Sequence, residues 1–136
     1  MAGNIKLEVV TPEKSVVSEE AQIVIAPGSL GEFGVLIGHT PFLTTLKQGI
    51  VRYKDVKGIE RFVFVSGGFA EALPDKVTVL AQAAERRRDI DLLRAKSAYE
   101  RAMGRLEGKP KEDVDFVRAK AALDRALYRV KLAETR

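Results

Sequence analysis

Two hydrophobic periods divide the chain. Through about Ala83 the apolar residues come in short runs, several of them alternating with polar positions and each closed by turn residues. Lys6-Leu7-Glu8-Val9-Val10 stops at Thr11-Pro12, Ser15-Val16-Val17 follows, and Gln22-Ile23-Val24-Ile25-Ala26 stops at Pro27-Gly28. Gly34-Val35-Leu36-Ile37 ends before Gly38, Phe42-Leu43-Thr44-Thr45-Leu46 before Gln48-Gly49, and Ile50-Val51-Arg52-Tyr53 before a turn over 55–58. Phe62–Val65, Phe69–Leu73 and Val77–Leu80 complete the series. Strand-like runs recurring about every 8 to 12 residues between turn signals predict an all-β sandwich. The expectation is a β-sandwich of about eight to ten strands over residues 1–84.

From Asp89 the punctuation disappears and the period lengthens. Leu92, Ala95, Tyr99, Ala102, Met103 and Leu106 fall at helical spacings, as do Phe116, Ala119, Leu123, Leu127 and Val130. Asp89 and Asp113 are expected as N-caps, with Gly108-Lys109-Pro110 as the break between two helices. Residues 85–136 therefore predict an antiparallel two-helix hairpin. The helices also repeat each other at a period of 24, Asp89–Lys96 mapping onto Asp113–Lys120 and Arg101 onto Arg125. Two copies are too few for a solenoid, so the repeat predicts two equivalent helices that pair. Six alanines (95, 98, 102, 119, 122 and 126) occupy the apolar stripes. Small side chains let helices approach closely but bury little area at about 25 cal/mol per Å², so the hairpin is expected to be marginal and openable.

Charge follows the same division. Of the 23 basic and 19 acidic residues, residues 1–84 hold 8 and 9, and the remaining 52 residues hold 15 and 10, a net +5 on the helical part. The absence of cysteine rules out disulfides and thiolate metal sites. No apolar run reaches the roughly 20 residues of a membrane span, and the first residues lack the apolar region of a signal peptide. Membrane association is thus expected only through a partner.

Little in the chain suggests catalysis or a metal. The single histidine, His39, has no second histidine or cysteine with which to build a zinc site. The glycines of Gly28–Gly34 and Ser66-Gly67-Gly68 match neither a P-loop nor a dinucleotide fingerprint. More informative are the arginines: Arg87, Asp91, Arg94, Ala98, Arg101 and Arg105 share one face of the first helix, and Arg118, Ala122, Arg125 and Arg129 one face of the second. Such stripes suit a solvated face, a site where guanidinium groups converge on phosphate, or docking on an acidic protein surface. Ten acidic residues on the same helices and the lack of a stacking platform argue against nucleic acid.

The segments Ile25-Ala26-Pro27-Gly28-Ser29-Leu30-Gly31-Glu32-Phe33-Gly34-Val35-Leu36-Ile37-Gly38-His39-Thr40-Pro41, Ser66-Gly67-Gly68-Phe69-Ala70-Glu71 and Val77-Thr78-Val79-Leu80 resemble, in order and spacing, the epsilon subunits of F-type ATP synthases. The resemblance implies a non-catalytic central-stalk subunit without a catalytic cofactor. Its β-sandwich would bind the gamma subunit and the c ring, with Gly38, His39, Thr40 and Pro41 in the contact. Its helices would lie folded or extend toward the alpha and beta subunits and inhibit ATP hydrolysis. The segment Ile90-Asp91-Leu92-Leu93-Arg94-Ala95 resembles the motif through which some bacterial members bind ATP. This implies a regulatory ATP site of Glu85, Asp91, Arg94, Arg101, Arg125 and Arg129. Pro110, within the Glu107–Glu112 linker, could alter how the helices meet. A peripheral place on the cytoplasmic side of a bacterial cell membrane is the corresponding expectation. The class-different alternative is a stand-alone nucleotide-binding sensor.

Overall fold

A computed structural model describes residues 3–108 and 113–134; the expected break at Lys109-Pro110 lies outside the described residues. The chain divides into two compact units, 1–86 and 87–136.

Among the described residues the first unit contains nine strands: β1 (Ile5–Val10), β2 (Ser15–Gly28), β3 (Gly31–Val35), β4 (Phe42–Leu46), β5 (Gly49–Asp55), β6 (Glu60–Val65), β7 (Gly68–Leu73), β8 (Lys76–Leu80) and β9 (Ala84–Arg86). They pair in the order β1-β8-β7-β4-β2-β5-β6-β9, with β3 on β2 and a further β1–β2 pairing. The β-sandwich arises because β2 serves both layers. Its first half pairs with β1 from Val17 to Ala21, and its second half pairs with β3 along one edge and β5 along the other. A register shift between Ala21 and Ile23 marks the passage from one layer to the next.

Two expected strands, Ser15–Val17 and Gln22–Ala26, are therefore one 14-residue strand. The intervening Ser18-Glu19-Glu20 looked like a break, but their backbones pair with Glu8, Leu7 and Lys6. Likewise β3 starts at Gly31, opposite Gly28, and releases Leu36 and Ile37 from the sheet. The unexpected β9 pairs with β6, and Arg86 Nε donates to Val16 O at 3.0 Å. This pairing carries the β unit two residues past the expected boundary at residue 84.

Alternation sends Ile5, Leu7 and Val9 of β1, Val51 and Tyr53 of β5, Val63 and Val65 of β6, and Val77 and Val79 of β8 into one core, each at most 1% exposed. Asp55 is the one charged residue buried with them among the described residues. Its Oδ1 accepts from the backbone N–H groups of Lys57 and Ile59, both at 2.9 Å, and its Oδ2 from Arg61 Nε at 3.1 Å. Desolvation pushes this carboxyl upward, but the bonds from Ile59, Arg61 and Lys57 outweigh it and hold its pKa below the ordinary value.

In the second unit a 3₁₀ turn over Arg87–Asp89 precedes α1 (Leu92–Leu106), and α2 spans Val114–Glu134. Asp89, expected as the first N-cap, ends the 3₁₀ turn instead. The cap is Asp91, in an extended conformation, whose Oδ1 accepts from Arg94 N at 3.1 Å. Between the two aspartates Ile90 is buried and its N–H donates to Arg87 O at 3.3 Å, which closes the 3₁₀ turn before α1 begins. Asp113 does cap the second helix, its Oδ1 accepting from Asp115 N at 2.8 Å. Beyond α1 Glu107 is extended and Gly108 takes φ +73, a left-handed conformation that glycine adopts without strain. The helices pack on each other, and Lys96 Nζ lies 3.8 Å from Glu134 Oε1. That contact joins the start of α1 to the finish of α2, so the pair is antiparallel.

Candidate anion site on the helical hairpin

The hairpin seam is built from alanine. Ala95 and Ala102 of α1 and Ala119 and Ala126 of α2 are all under 5% exposed. Each directly follows an arginine: Arg94, Arg101, Arg118 and Arg125. Successive helical residues are about 100° apart, so each arginine flanks the seam. Reversing a helix axis also reverses its sense of rotation. In an antiparallel pair, residues just before seam positions therefore lie to the same side on both helices, whereas in a parallel pair they would face opposite ways. The pairing thus brings the two arginine stripes onto one face of the hairpin.

The register can be followed from both ends. At the proximal end, where α1 begins and α2 finishes, Lys96 meets Glu134. At the distal end, where α1 finishes and α2 begins, Arg105 shares a groove of about 620 Å³ with Asp115, Arg118 and Arg125, floored by Ala119 and Ala122.

The six residues expected to hold ATP divide between the two units. Arg94, Arg101, Arg125 and Arg129 occupy the common face. Asp91 caps α1, its Oδ1 accepting from Arg94 N. Glu85 belongs to the other unit, on β9, where its backbone pairs with Phe64. Two arginines outside the expected ATP set, Arg105 and Arg118, line the distal groove with Arg125. Their positions on the stripes were legible in the sequence; their convergence required the antiparallel pairing.

In the β unit, Gly38-His39-Thr40-Pro41 forms an exposed corner. Gly38 takes φ +83 and donates from its N–H to Pro74 O. His39 Nδ1 lies 2.6 Å from Thr40 O, a contact that places the proton on Nδ1. The His39 ring packs 5.0 Å from Phe42, which meets Phe33 edge-on at 5.1 Å. Leu36 and Leu43 are exposed beside this corner, and Leu30 is exposed at the β2–β3 turn. Among the described residues no group of three or more His, Asp and Glu could hold a metal ion.

Residues 4–87 match the family described as ATP synthase, Delta/Epsilon chain, beta-sandwich domain, and residues 88–134 match the long alpha-helix domain of the same chain. The chain belongs to the ATP synthase delta/epsilon family. It is 68% identical over 109 residues to the ATP synthase epsilon chain of Desulfatibacillum aliphaticivorans, covering 80% of this chain and 77% of that one. It is 64% identical over 107 residues to the ATP synthase epsilon chain of Desulfosudis oleivorans, covering 79% and 80%. Among solved structures, a chain in the mitochondrial ATP synthase of Euglena gracilis shares the fold, with a TM-score of 0.78 at 21% identity over 98% of this chain and 82% of that one. A chain in the central stalk and c-ring structure of the Tetrahymena thermophila enzyme matches at a TM-score of 0.53 and 13% identity, over 98% and 96%. Family membership covers both units, the β-sandwich and the helices alike. No described helix of this family member is long and apolar enough to cross a membrane.

Proposed function

We propose that the chain is a non-catalytic, regulatory subunit of the ATP synthase central stalk, in which the β-sandwich couples and the hairpin switches. The β-sandwich would hold the gamma subunit and the c ring, with the Gly38–Pro41 corner and its exposed leucines in the contact. The chain would then sit peripherally at a bacterial cell membrane, on the cytoplasmic side, attached only through the complex. The folded hairpin would bind ATP as a signal on its arginine face. When extended, it would reach the alpha and beta subunits, where its basic stripes meet acidic segments and block hydrolysis.

The observation that carries the switch is the pairing of an alanine seam with arginines on one face. Guanidinium groups gathered on one face repel one another, and an anion between them would relieve the repulsion through charge-assisted, often bidentate bonds. ATP would therefore stabilise the folded form. At a concentration of one hundred times Kd a ligand that binds only one state favours it by about 2.7 kcal/mol, a large share of what a seam of alanines supplies. Falling ATP would shift the population toward the extended arm.

Reconstituting the complex with a chain ending at residue 87 tests the inhibitory arm. Faster ATP hydrolysis is expected, and unchanged hydrolysis would remove the inhibitory role. Calorimetry of ATP binding to the full chain, beside Arg101→Ala and Arg125→Ala, tests the ligand. Co-purification with a gamma subunit separates this reading from that of a stand-alone sensor.

A further inference from the structure

The 24-residue repeat has a geometric result once the helices pair antiparallel. A sequence repeat across such a pair generates an approximate twofold axis normal to the hairpin, so whatever one end presents, the other presents again. The distal groove obeys this relation: Arg105, Asp115, Arg118 and Arg125 correspond to Arg129, Asp91, Arg94 and Arg101. Ala119 and Ala122 in the groove correspond to Ala95 and Ala98.

The two ends differ at one carboxylate. At the proximal end Asp91 caps α1. At the distal end the cap has moved two residues earlier, to Asp113, so that Asp115 lies inside the first turn of α2 and lines the groove. Among the described residues none of the Arg105, Arg118 and Arg125 guanidinium groups is held in an ion pair. Three such groups around an alanine floor form a concave, positively charged surface of a size that takes a small ligand.

We propose that the distal groove is a second anion site, one that binds a polyphosphate group. Arg105, Arg118 and Arg125 supply the charge-assisted donors. Asp115 supplies an acceptor that a bare polyphosphate has no donor to fill, while the hydroxyl or amino groups of a nucleoside do. The groove is preformed only while the hairpin is folded, so occupancy at this end also favours the folded hairpin. The groove shares Arg125 with the proposed ATP site, but Arg118 belongs to the groove alone and Arg94 to the ATP set alone, so the two readings can fail separately.

Residue-resolved NMR titration of the full chain with inorganic tripolyphosphate, and separately with ATP, tests it. The wild type, Arg118→Gln and Arg94→Gln are compared, all changed at exposed positions that leave the alanine seam intact. Resonances of Arg105, Arg118 and Ala122 should shift in the wild type, and Arg118→Gln should weaken that response by about tenfold or more, as expected for the loss of one hydrogen bond to a charged group. Arg94→Gln, which acts on this groove only through the folding of the hairpin, should weaken it far less than Arg118→Gln does. A distal response to both probes supports a site for the polyphosphate group alone. A response to ATP only supports a nucleotide site that uses Asp115. If neither probe moves the distal resonances, or if Arg118→Gln leaves their titration unaltered, the second site does not exist. A distal response without a proximal one would overturn the ATP site proposed above while leaving this one standing.

Discussion

The two units are built from different materials. The β unit fills its core with Ile5, Leu7, Val24, Val63, Val77 and their neighbours, large branched side chains removed from water. In the hairpin the buried positions are mostly alanine, with Leu123 and Leu132 as the larger exceptions on α2. Buried apolar area sets the hydrophobic contribution, so the first unit is made to persist. On the proposed function, the second would lie close in free energy to its own opening. The difference teaches that, if the one unit couples and the other switches, side-chain volume in the core already separates them before any ligand is considered.

Truncating the large core should give the largest effect. Leu7→Ala, at a fully buried position, is expected to cost about 2–5 kcal/mol, read as a lower urea midpoint for the β unit. No single truncation at the alanine seam can match it, since an alanine side chain offers only one methyl group to remove. Next comes the arginine face. Arg101→Ala should weaken ATP binding by about 1.5–3 kcal/mol, the usual worth of a hydrogen bond to a charged group, as read by calorimetry. Its effect on the urea midpoint of the β unit should be nil. Smaller again is the cap: Asp91→Ala should destabilise the hairpin by about 1 kcal/mol, seen as faster amide exchange in the first turn of α1. Asp89→Ala, at the position that does not cap, should change that exchange far less.

The finest contrast lies in pH. Asp55 titrates lower in the folded β unit than in the unfolded chain, where an aspartate has a pKa of about 3.9. Its contribution is therefore complete above that value and is lost as pH falls through the folded pKa. Asp55→Asn should flatten the loss of β-unit stability on acidification, measured by urea midpoints at neutral and acid pH.

Much of this architecture was legible in the sequence because turn residues and alternation are local signals. The exceptions were set by distant partners. Ser18-Glu19-Glu20 reads as a gap until β1 supplies backbone partners, and Glu85-Arg86 reads as the start of the basic helical region until β6 pairs with it. Asp89 satisfies the local signature of a cap, but it closes a 3₁₀ turn and α1 starts behind Asp91. The arginine stripes follow from spacing alone. That Arg105 and Arg118 join Arg125 around one groove depends on the direction and register of pairing, which no single helix encodes.

Amide hydrogen exchange of the full chain, with and without millimolar ATP, tests the contrast most directly. The account predicts that α1 and α2 exchange much faster than the central strands β1, β5 and β6 without ligand, and that ATP slows the helices while leaving those strands unchanged. Helices as protected as the strands without ATP, or indifferent to its addition, would contradict it.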